Sequence, residues 1–590
     1  MSENCDKSSN TMTENSDNQI LLTASNDEKE IKPENNPYAY LDRDEFSSER
    51  FKIAVKNLPK YYGVNEFRKL VNEKLKLASN KIKFPRKNSP FLFVCFRNEE
   101  DRENAIKVIS GFKWKGKALV AYEAKPAPDP LVKRRNEQEN SEIAKKKSKL
   151  DEQPQGDRLK FSTIPLWNVP YEEQLTTKQE EIRKILIKLG NDLAHHNSSL
   201  RKWLDKQKSL HNQLPCELLD IRHSKQQDGY RNKCEFTIGI DEETKLPTVG
   251  FRIGSYATGK TGVAPVDDLR HIPDKMKVAV KVFQEFVRNS DLEVFNPEFQ
   301  TGHFRQLTIR SAPNQLMIIV GIHPQDLSEE RLTQFKKDLV EYFFEGPGKD
   351  ANVTSLYYQT VMKKVSNDDI ALAEHLSGDT HIQESILGLN FRISPGAFFQ
   401  INTAGAEILY NSAIELAKPT EMSTVLDICC GTGTIGLCFS KSCNQVLGVE
   451  IIPQAVIDAK ENARNNGVEN CEFFAGKAEE ILSSVLYRIK NEDIIAVVDP
   501  PRAGLHQRCI LQLRKSEKIN KLVYVSCNPN AAMKNFIDLG RPDSKTMHGD
   551  PFVPIKAVAV DMFPHTKHCE LIIYFERWNK EKFLSDNQNS

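Results

Sequence analysis

The chain is 590 residues long, 39% hydrophobic and 28% charged, which excludes a single-core domain and predicts about two to four domains of a soluble protein. Lys and Arg total 82 against 81 for Asp and Glu, so no global basic charge advertises a nucleic-acid partner, and any RNA surface has to be a local patch. The twelve cysteines include no C-x-x-C pair and no Cys/His cluster, so neither a metal site nor a disulfide framework is expected, and a reducing cytosol, with the nucleus as a second location, suits them.

Met1 to Asn10 lacks the apolar stretch of a secretory signal, and no apolar run is long enough to span a membrane. Residues 1–45, rich in Ser, Asn, Asp, Glu and Thr, are expected to be a disordered tail. From Phe51 the pattern tightens. Phe51 to Pro59 reads as a strand ending in a turn, and Asn65 to Lys76 as a helix with Phe67, Leu70, Val71 and Leu75 at helical spacing. Phe91 to Phe96 is a second strand, Glu99 to Ile109 a helix, and Ala118 to Glu123 a closing strand. This β-α-β-β-α-β order over residues 46–126 resembles an RNA recognition motif (RRM), an α+β fold. In that family one aromatic on the first strand and two on the third stack RNA bases. Phe91 and Phe93 hold the third-strand positions, but Ala54 stands at the first-strand position and Ser89-Pro90 replaces the basic-Gly pair. The unit either stacks bases, or keeps the fold and binds RNA weakly or a protein instead.

Residues 127–160 read as a charged linker carrying Lys133-Arg134-Arg135 and Lys145-Lys146-Lys147, a solvated, partly helical spacer with a nuclear-import signal as the alternative. Residues 161–390 form an α+β region for handling substrate. It opens on helical periodicity (Ile182, Ile185, Leu186, Leu189, Leu193) and continues with short strands that mix glycines, aromatics and cations, as in Gly229 to Phe236 and Val249 to Gly254. Strand-helix alternation then fills a domain at 391–578, followed by a tail at 579–590.

Thr424 to Leu437 begins as a buried strand and turns through Gly431 and Gly433 into a helix, where a missing β-carbon lets the backbone approach a ligand. The next strand, from Gln445, ends in Glu450, 19 residues past Gly431, near the spacing at which an acid reaches ribose hydroxyls. A doubly wound parallel sheet with its ligand at the carboxyl ends of the strands is implied. Gly431-x-Gly433-x-x-Gly436 also matches the dinucleotide fingerprint of a dehydrogenase, but Asp427 would confront a cationic ligand better than a pyrophosphate. Three further strand ends offer chemistry: Asp499 before Pro500-Pro501-Arg502, Cys527 after Leu522 to Ser526, and Glu570 at the start of the last strand. Carbon 5 of uracil is too weak a nucleophile for a sulfonium methyl until a thiolate adds at carbon 6. A base must then remove the carbon-5 hydrogen. One Cys and one carboxylate near the cofactor meet that need.

Together, Ser394 to Asn402, the glycine loop, Asp499 to Arg502, Val525 to Asn528 and His568 to Glu570 resemble the RNA uracil-C5 methyltransferases, over residues 215–577. The resemblance implies a Rossmann-like class I methyltransferase fold and S-adenosyl-L-methionine as cofactor. Gln400, Glu450 and Asp499 would bind it, with loop positions Cys429, Gly431, Gly433 and Thr434. Cys527 would be the nucleophile and Glu570 the base. The substrate would be tRNA at uridine 54 of the T loop, with other structured RNA as further partners, and the chain a monomer. His568 is given no role, and Cys430 and Cys569 are read as small buried residues. An RNA cytosine-C5 methyltransferase is the near alternative, but Pro500-Pro501-Arg502 lacks the cysteine which that family carries after its proline. An RNA-binding or chaperone protein with a spent catalytic domain is the other.

Overall fold

The computed structural model describes residues 49–59, 62–83, 91–126, 153–253, 261–362 and 373–584. The expected tail at 1–45, the Ser89-Pro90 pair, both basic runs of the linker and residues 585–590 lie outside the described residues. The chain divides into an amino-terminal unit, Met1–Ala144, and a larger one, Lys145–Ser590.

The smaller unit contains β1 (Lys52–Lys56), α1 (Val64–Lys69, continued by a wider turn over Leu70–Lys74), β2 (Lys81–Lys83), β3 (Phe91–Cys95), α2 (Glu99–Ile109) and β4 (Val120–Glu123). The strands form one antiparallel sheet in the order β2-β3-β1-β4. Ile53, Val55, Leu92, Val94 and Ala121 point from it onto Phe67, Leu70, Val71, Ala105 and Ile109, so both helices cover one face. Successive strand residues alternate between faces, so the intervening residues point away from this core. The closing strand starts later than expected, because Lys117–Ala118 pairs instead with Lys113–Trp114 in a short hairpin.

The larger unit opens with helices α3 (Gln155–Thr163), α4 (Tyr171–His196) and α5 (Arg201–Leu210) and the two-residue strand β5 (Glu217–Leu218). A seven-stranded sheet follows, built from β6 (Lys233–Ile240), β7 (Pro247–Arg252), β8 (Val263–Ala264), β9 (Phe304–Ala312), β10 (Gln315–Ile322), β11 (Ser355–Thr360) and β12 (Ala373–Gly378), in the order β8-β7-β6-β9-β10-β11-β12. Helices α6 (Asp274–Asn289) and α7 (Glu329–Phe344) pack on it through Phe283, Phe335 and Phe343. The hairpin β13 (Ile382–Ile386) and β14 (Leu389–Ile393) leads into the last part.

That part is α8 (Thr403–Ala417), β15 (Ser423–Ile428), α9 (Thr434–Phe439), β16 (Gln445–Glu450), α10 (Pro453–Asn465), β17 (Cys471–Ala475), α11 (Ala478–Leu486), β18 (Asp493–Val498), α12 (Gln507–Lys515), β19 (Ile519–Ser526), α13 (Pro529–Gly540), β20 (Phe552–Val560) and β21 (Glu570–Arg577). Its eight-stranded sheet runs β17-β16-β15-β18-β19-β21-β20-β5. The first five strands are parallel, while β21 lies antiparallel to β19 and to β20. Every residue of β15 and β16 is buried, as strands covered on both faces must be. Leu426, Ile428, Ala496 and Val498 face one core, while Val425, Ile495 and Val497 face the other.

The expected boundary at residue 390 does not follow this packing. β5 pairs with β20 at the sheet's edge. Ile182, Leu186, Leu189 and Leu193 of α4 share a core with Leu426, Leu539 and Phe575. The eight-stranded sheet is therefore completed by a segment that precedes the seven-stranded one in sequence. Among the described residues no helix is long and apolar enough to cross a membrane.

Candidate active site

The chain leaves β15 and runs outward to β16 and β17, then returns to start β18 on the other side of β15. The switch point thus lies between β15 and β18, where open α/β sheets bind ligands at the carboxyl ends of their strands. Those ends here are Ile428, Glu450, Val498 and Ser526.

Beyond Ile428 the backbone takes positive φ at Cys429 (67°), Gly431 (54°) and Gly433 (79°), a sharp turn into α9. Two carboxylates fasten it. Glu450 accepts from the Gly431 N–H at 3.0 Å with Oε2 and from the Ile452 N–H at 3.0 Å with Oε1. Asp427, fully buried, accepts from the Gly436 N–H at 2.8 Å, and burial pushes its carboxyl up to about 7. Asp427 therefore braces the loop from inside through one oxygen, while its Oδ1 has no hydrogen-bond partner among the described residues. The two glycines also divide their work. A β-carbon on Gly433 would lie 2.9 Å from the Phe473 ring, so this glycine serves packing. At Gly431 a β-carbon would meet only the Phe398 carbonyl oxygen at 3.9 Å, which leaves that side open. Thr434 is buried and receives a hydrogen bond from the Tyr410 hydroxyl at 3.3 Å, which ties it to α8. Cys429 is half-buried at the mouth of the turn, while Cys430 and Cys569 are buried.

The second half of the site is acidic. Asp499 follows β18, and the Gln400 amide donates to its Oδ2 at 3.1 Å. Burial pushes Asp499 up to about 7. Because β21 is antiparallel, its first residue lies at the same sheet edge as the last residues of the parallel strands. Ser526 pairs with Leu571, so Cys527 and Glu570 stand at adjacent strand ends. Glu570 is 3% exposed and its Oε2 has no hydrogen-bond partner among the described residues. Burial first, then the neighbouring Asp499 charge, holds Glu570 well above the usual carboxylate range, against the pull of the Arg502 guanidinium. The same burial, with Glu570 and Asp499, pushes the Cys527 thiol up to about 11. Arg502 and His568 are exposed at the rim.

The structure thus gathers Gln400, Asp499, Cys527 and Glu570 into one cluster, with Glu450, Gly431 and Cys429 at the neighbouring strand ends. It turns Gly433 and Thr434 inward. Chemically, the cluster is a thiol beside buried carboxyls whose ionisation awaits a cation. Among the described residues no group of three His, Cys, Asp or Glu could hold a metal ion.

Sequence reasoning missed the residues that hold the loop Asp561–Cys569, which delivers Glu570. Lys178 of α4, 1% exposed, donates to Asp561 Oδ1 at 2.7 Å and to the Phe563 carbonyl at 3.1 Å. The Tyr171 hydroxyl donates to Asp561 Oδ2 at 3.0 Å. Gln174 accepts from the His565 N–H at 2.8 Å, and the His565 ring reaches Asp228 at 3.0 Å. His565 itself holds a φ of 66°, a conformation that needs such support. A signal was present: Gln174 and Lys178 sit eight and four residues before Ile182, polar side chains on the apolar stripe of a helix. Lys178→Met is expected to lower the unfolding free energy in urea by about 3–5 kcal/mol, because it leaves Asp561 buried and unpaired. The double variant Lys178→Met with Asp561→Leu should regain most of that loss, and a double variant no better than the single one would refute the pairing argument.

Residues 360–578 match the family model described as tRNA (Uracil-5-)-methyltransferase. The mouse tRNA (uracil-5-)-methyltransferase homolog A is 44% identical over 542 residues, 92% of this chain and 86% of that protein. The zebrafish (Danio rerio) homolog B is 42% identical over 429 residues, 71% of this chain and 87% of that protein. The solved Pyrococcus abyssi tRNA (uracil-54, C5)-methyltransferase, in complex with S-adenosyl-L-homocysteine, aligns at 22% identity with a TM-score of 0.49, over 70% of this chain and 84% of that one. On the family model and these relatives, the chain belongs to the tRNA (uracil-5-)-methyltransferase family and is an S-adenosylmethionine-dependent methyltransferase.

Proposed function

We propose that this protein converts uridine 54 of the tRNA T loop to 5-methyluridine through a covalent Cys527 adduct. The observation that carries the reading is a thiol at one strand end beside a buried, unpartnered carboxylate at the next. Position 54 is the site that the sequence resemblance implies.

The residues present fit the cofactor. The Gly431 side of the loop is open, Glu450 has an acceptor lone pair left on each oxygen for ribose hydroxyls, and the buried Asp499 and Glu570 suit a positive sulfonium centre. When bound, S-adenosylmethionine supplies an electrophilic methyl group to carbon 5. Every other step belongs to the chain. The Cys527 thiolate adds to carbon 6 of the uracil and makes carbon 5 nucleophilic. Gln400 fixes Asp499 in the site through its amide. After transfer, Glu570 accepts the carbon-5 proton, and elimination of the Cys527 sulfur restores the ring.

In this proposal the smaller unit is an RRM-like accessory domain that adds RNA contacts. Its strand order β2-β3-β1-β4, with both helices on one face, supports that reading.

The test is to incubate the protein with S-adenosylmethionine and unmodified tRNA, digest the RNA and map methylated nucleosides by mass spectrometry. 5-Methyluridine should appear in the T-loop fragment at position 54. Methylcytidine in its place, or 5-methyluridine confined to other loops, would overturn the assignment.

A further inference from the structure

We propose that Asn232 is a positioning residue for methyl transfer, acting through Gln400 on Asp499. The proposal goes beyond the covalent reading and rests on its placement of Asp499 beside the sulfonium centre.

Ser394 to Ile401, the loop that carries Gln400, belongs to no helix or strand, so its course has to be fixed from outside. It is suspended from the seven-stranded sheet. The Arg310 guanidinium, on β9 and 3% exposed, donates to the Ala397 carbonyl. Asn232 takes the part nearest the catalytic groups. It stands immediately before β6, where its own carbonyl accepts from the Ser311 N–H of β9 at 2.8 Å. Its backbone N–H donates to the Ile401 carbonyl at 2.8 Å. Its side-chain amide donates to the Gln400 carbonyl at 2.9 Å and to the Thr403 hydroxyl at 2.9 Å, which commits both amide hydrogens.

The polarity of this contact is set from behind. The Thr403 hydroxyl has one hydrogen and gives it to the Glu384 carboxylate, which is 6% exposed. Toward Asn232 that hydroxyl can only accept. The amide nitrogen must therefore face the loop, and in that orientation it also holds the Gln400 carbonyl. Gln400, itself 6% exposed, directs its side-chain amide to Asp499 Oδ2 at 3.1 Å. Glu384, Thr403, Asn232, Gln400 and Asp499 thus form one run of hydrogen bonds from the seven-stranded sheet and its hairpin to the eight-stranded sheet. A residue that served packing alone would need the volume of Asn232 but not its donors. Misplacing a reacting group by about 1 Å costs on the order of 10²-fold in rate, so a restraint on the Gln400 main chain acts on the chemistry.

The test counts methyl groups passed from labelled S-adenosylmethionine into bulk unmodified tRNA, so the outcome does not depend on which uridine accepts them. An assay at about pH 8 keeps Glu384 ionised, since burial pushes its carboxyl up to about 7. Asn232→Asp keeps the shape but turns an oxygen toward the Gln400 carbonyl. It should lower kcat by about 10–100-fold and leave the KM for tRNA unchanged. Gln400→Leu should be slow as well, and the double variant should be no slower than Gln400→Leu alone, because two changes on one path do not multiply. Thr403→Val should slow transfer, whereas Thr403→Ser, which keeps the hydroxyl, should not. Equal rates for these two would overturn the polarity argument even if Asn232→Asp were to lose its fold. Losses that multiply in the double variant would overturn the path through Gln400. Asn232→Asp at the unaltered rate beside a slow Gln400→Leu would overturn this proposal alone, and Gln400→Leu at the unaltered rate would overturn it together with the placement of Asp499.

Discussion

Cys527→Ala is expected to lose turnover by about four orders of magnitude or more, the scale on which removal of a catalytic nucleophile acts in other enzymes. The neighbouring hydroxyl at the end of β19, Ser526, is 5% exposed and is no substitute nucleophile. The variant should also lose the denaturant-resistant adduct with 5-fluorouridine RNA, which traps the unaltered enzyme because fluorine at carbon 5 cannot leave as a proton. The reading is checked by gel shift under denaturing conditions, and an adduct that survives in Cys527→Ala would remove the thiol from the mechanism. The pH dependence follows in sign from the site's charge. With the thiol pushed up to about 11 by burial and two carboxylates, little of it is thiolate at neutral pH in the free protein. Adduct formation should therefore quicken as pH rises, by up to about tenfold per unit well below that value.

Glu570→Gln is expected to stall the enzyme after methyl transfer, with a methylated protein–RNA adduct accumulating on ordinary uridine RNA. The amide keeps the side chain's size but cannot accept the carbon-5 proton, so the sulfur cannot be eliminated. Turnover should fall by about 10²–10⁴-fold, the contribution of a positioned general base. The substitution has a second, opposite effect on the first step. After burial, an ionised Glu570 is the largest cause of the raised thiol, so a neutral amide in its place cannot push the thiol further up. The adduct should thus form at least as fast as in the unaltered enzyme and then persist. Mass spectrometry of the trapped species, in parallel with multiple-turnover rates, checks both halves. Turnover at the unaltered rate would rule Glu570 out as the base and leave Asp499 as the next carboxylate to test.

Much of this site was legible in the sequence because each of its groups stands at a strand end. β18 and β19 are covered on both faces and carry apolar runs, Ile494 to Val498 and Leu522 to Val525, and the polar residues just past each run mark the sheet's edge. Asp499 and Cys527 were found that way, and Glu570 by the same logic reversed. Orientation within the glycine loop was not legible. A glycine required by the Phe473 ring and one left open to a ligand look alike in sequence, as do a threonine bonded to Tyr410 and one bonded to a cofactor. The bracing role of Asp427 on the Gly436 N–H was not legible for the same reason. β5 is two residues long, too short for any periodic signal, and its pairing with β20 joins segments hundreds of residues apart.

Lys178 and Asp561 are 383 residues apart in the chain. A ribosome adding about 5–20 residues per second needs roughly 20–80 s to make the second after the first. Through that interval α4 waits with Ile182, Leu186, Leu189 and Leu193 uncovered and an ammonium that has no counter-ion, since the strands that bury them are the last to be synthesised. The nascent chain is thus a natural client for chaperones that hold apolar helices. A message cut short before β20 yields a product that keeps the glycine loop yet lacks Glu570 and the two strands that join β5 to the sheet, and such a fragment has no residual activity to contribute.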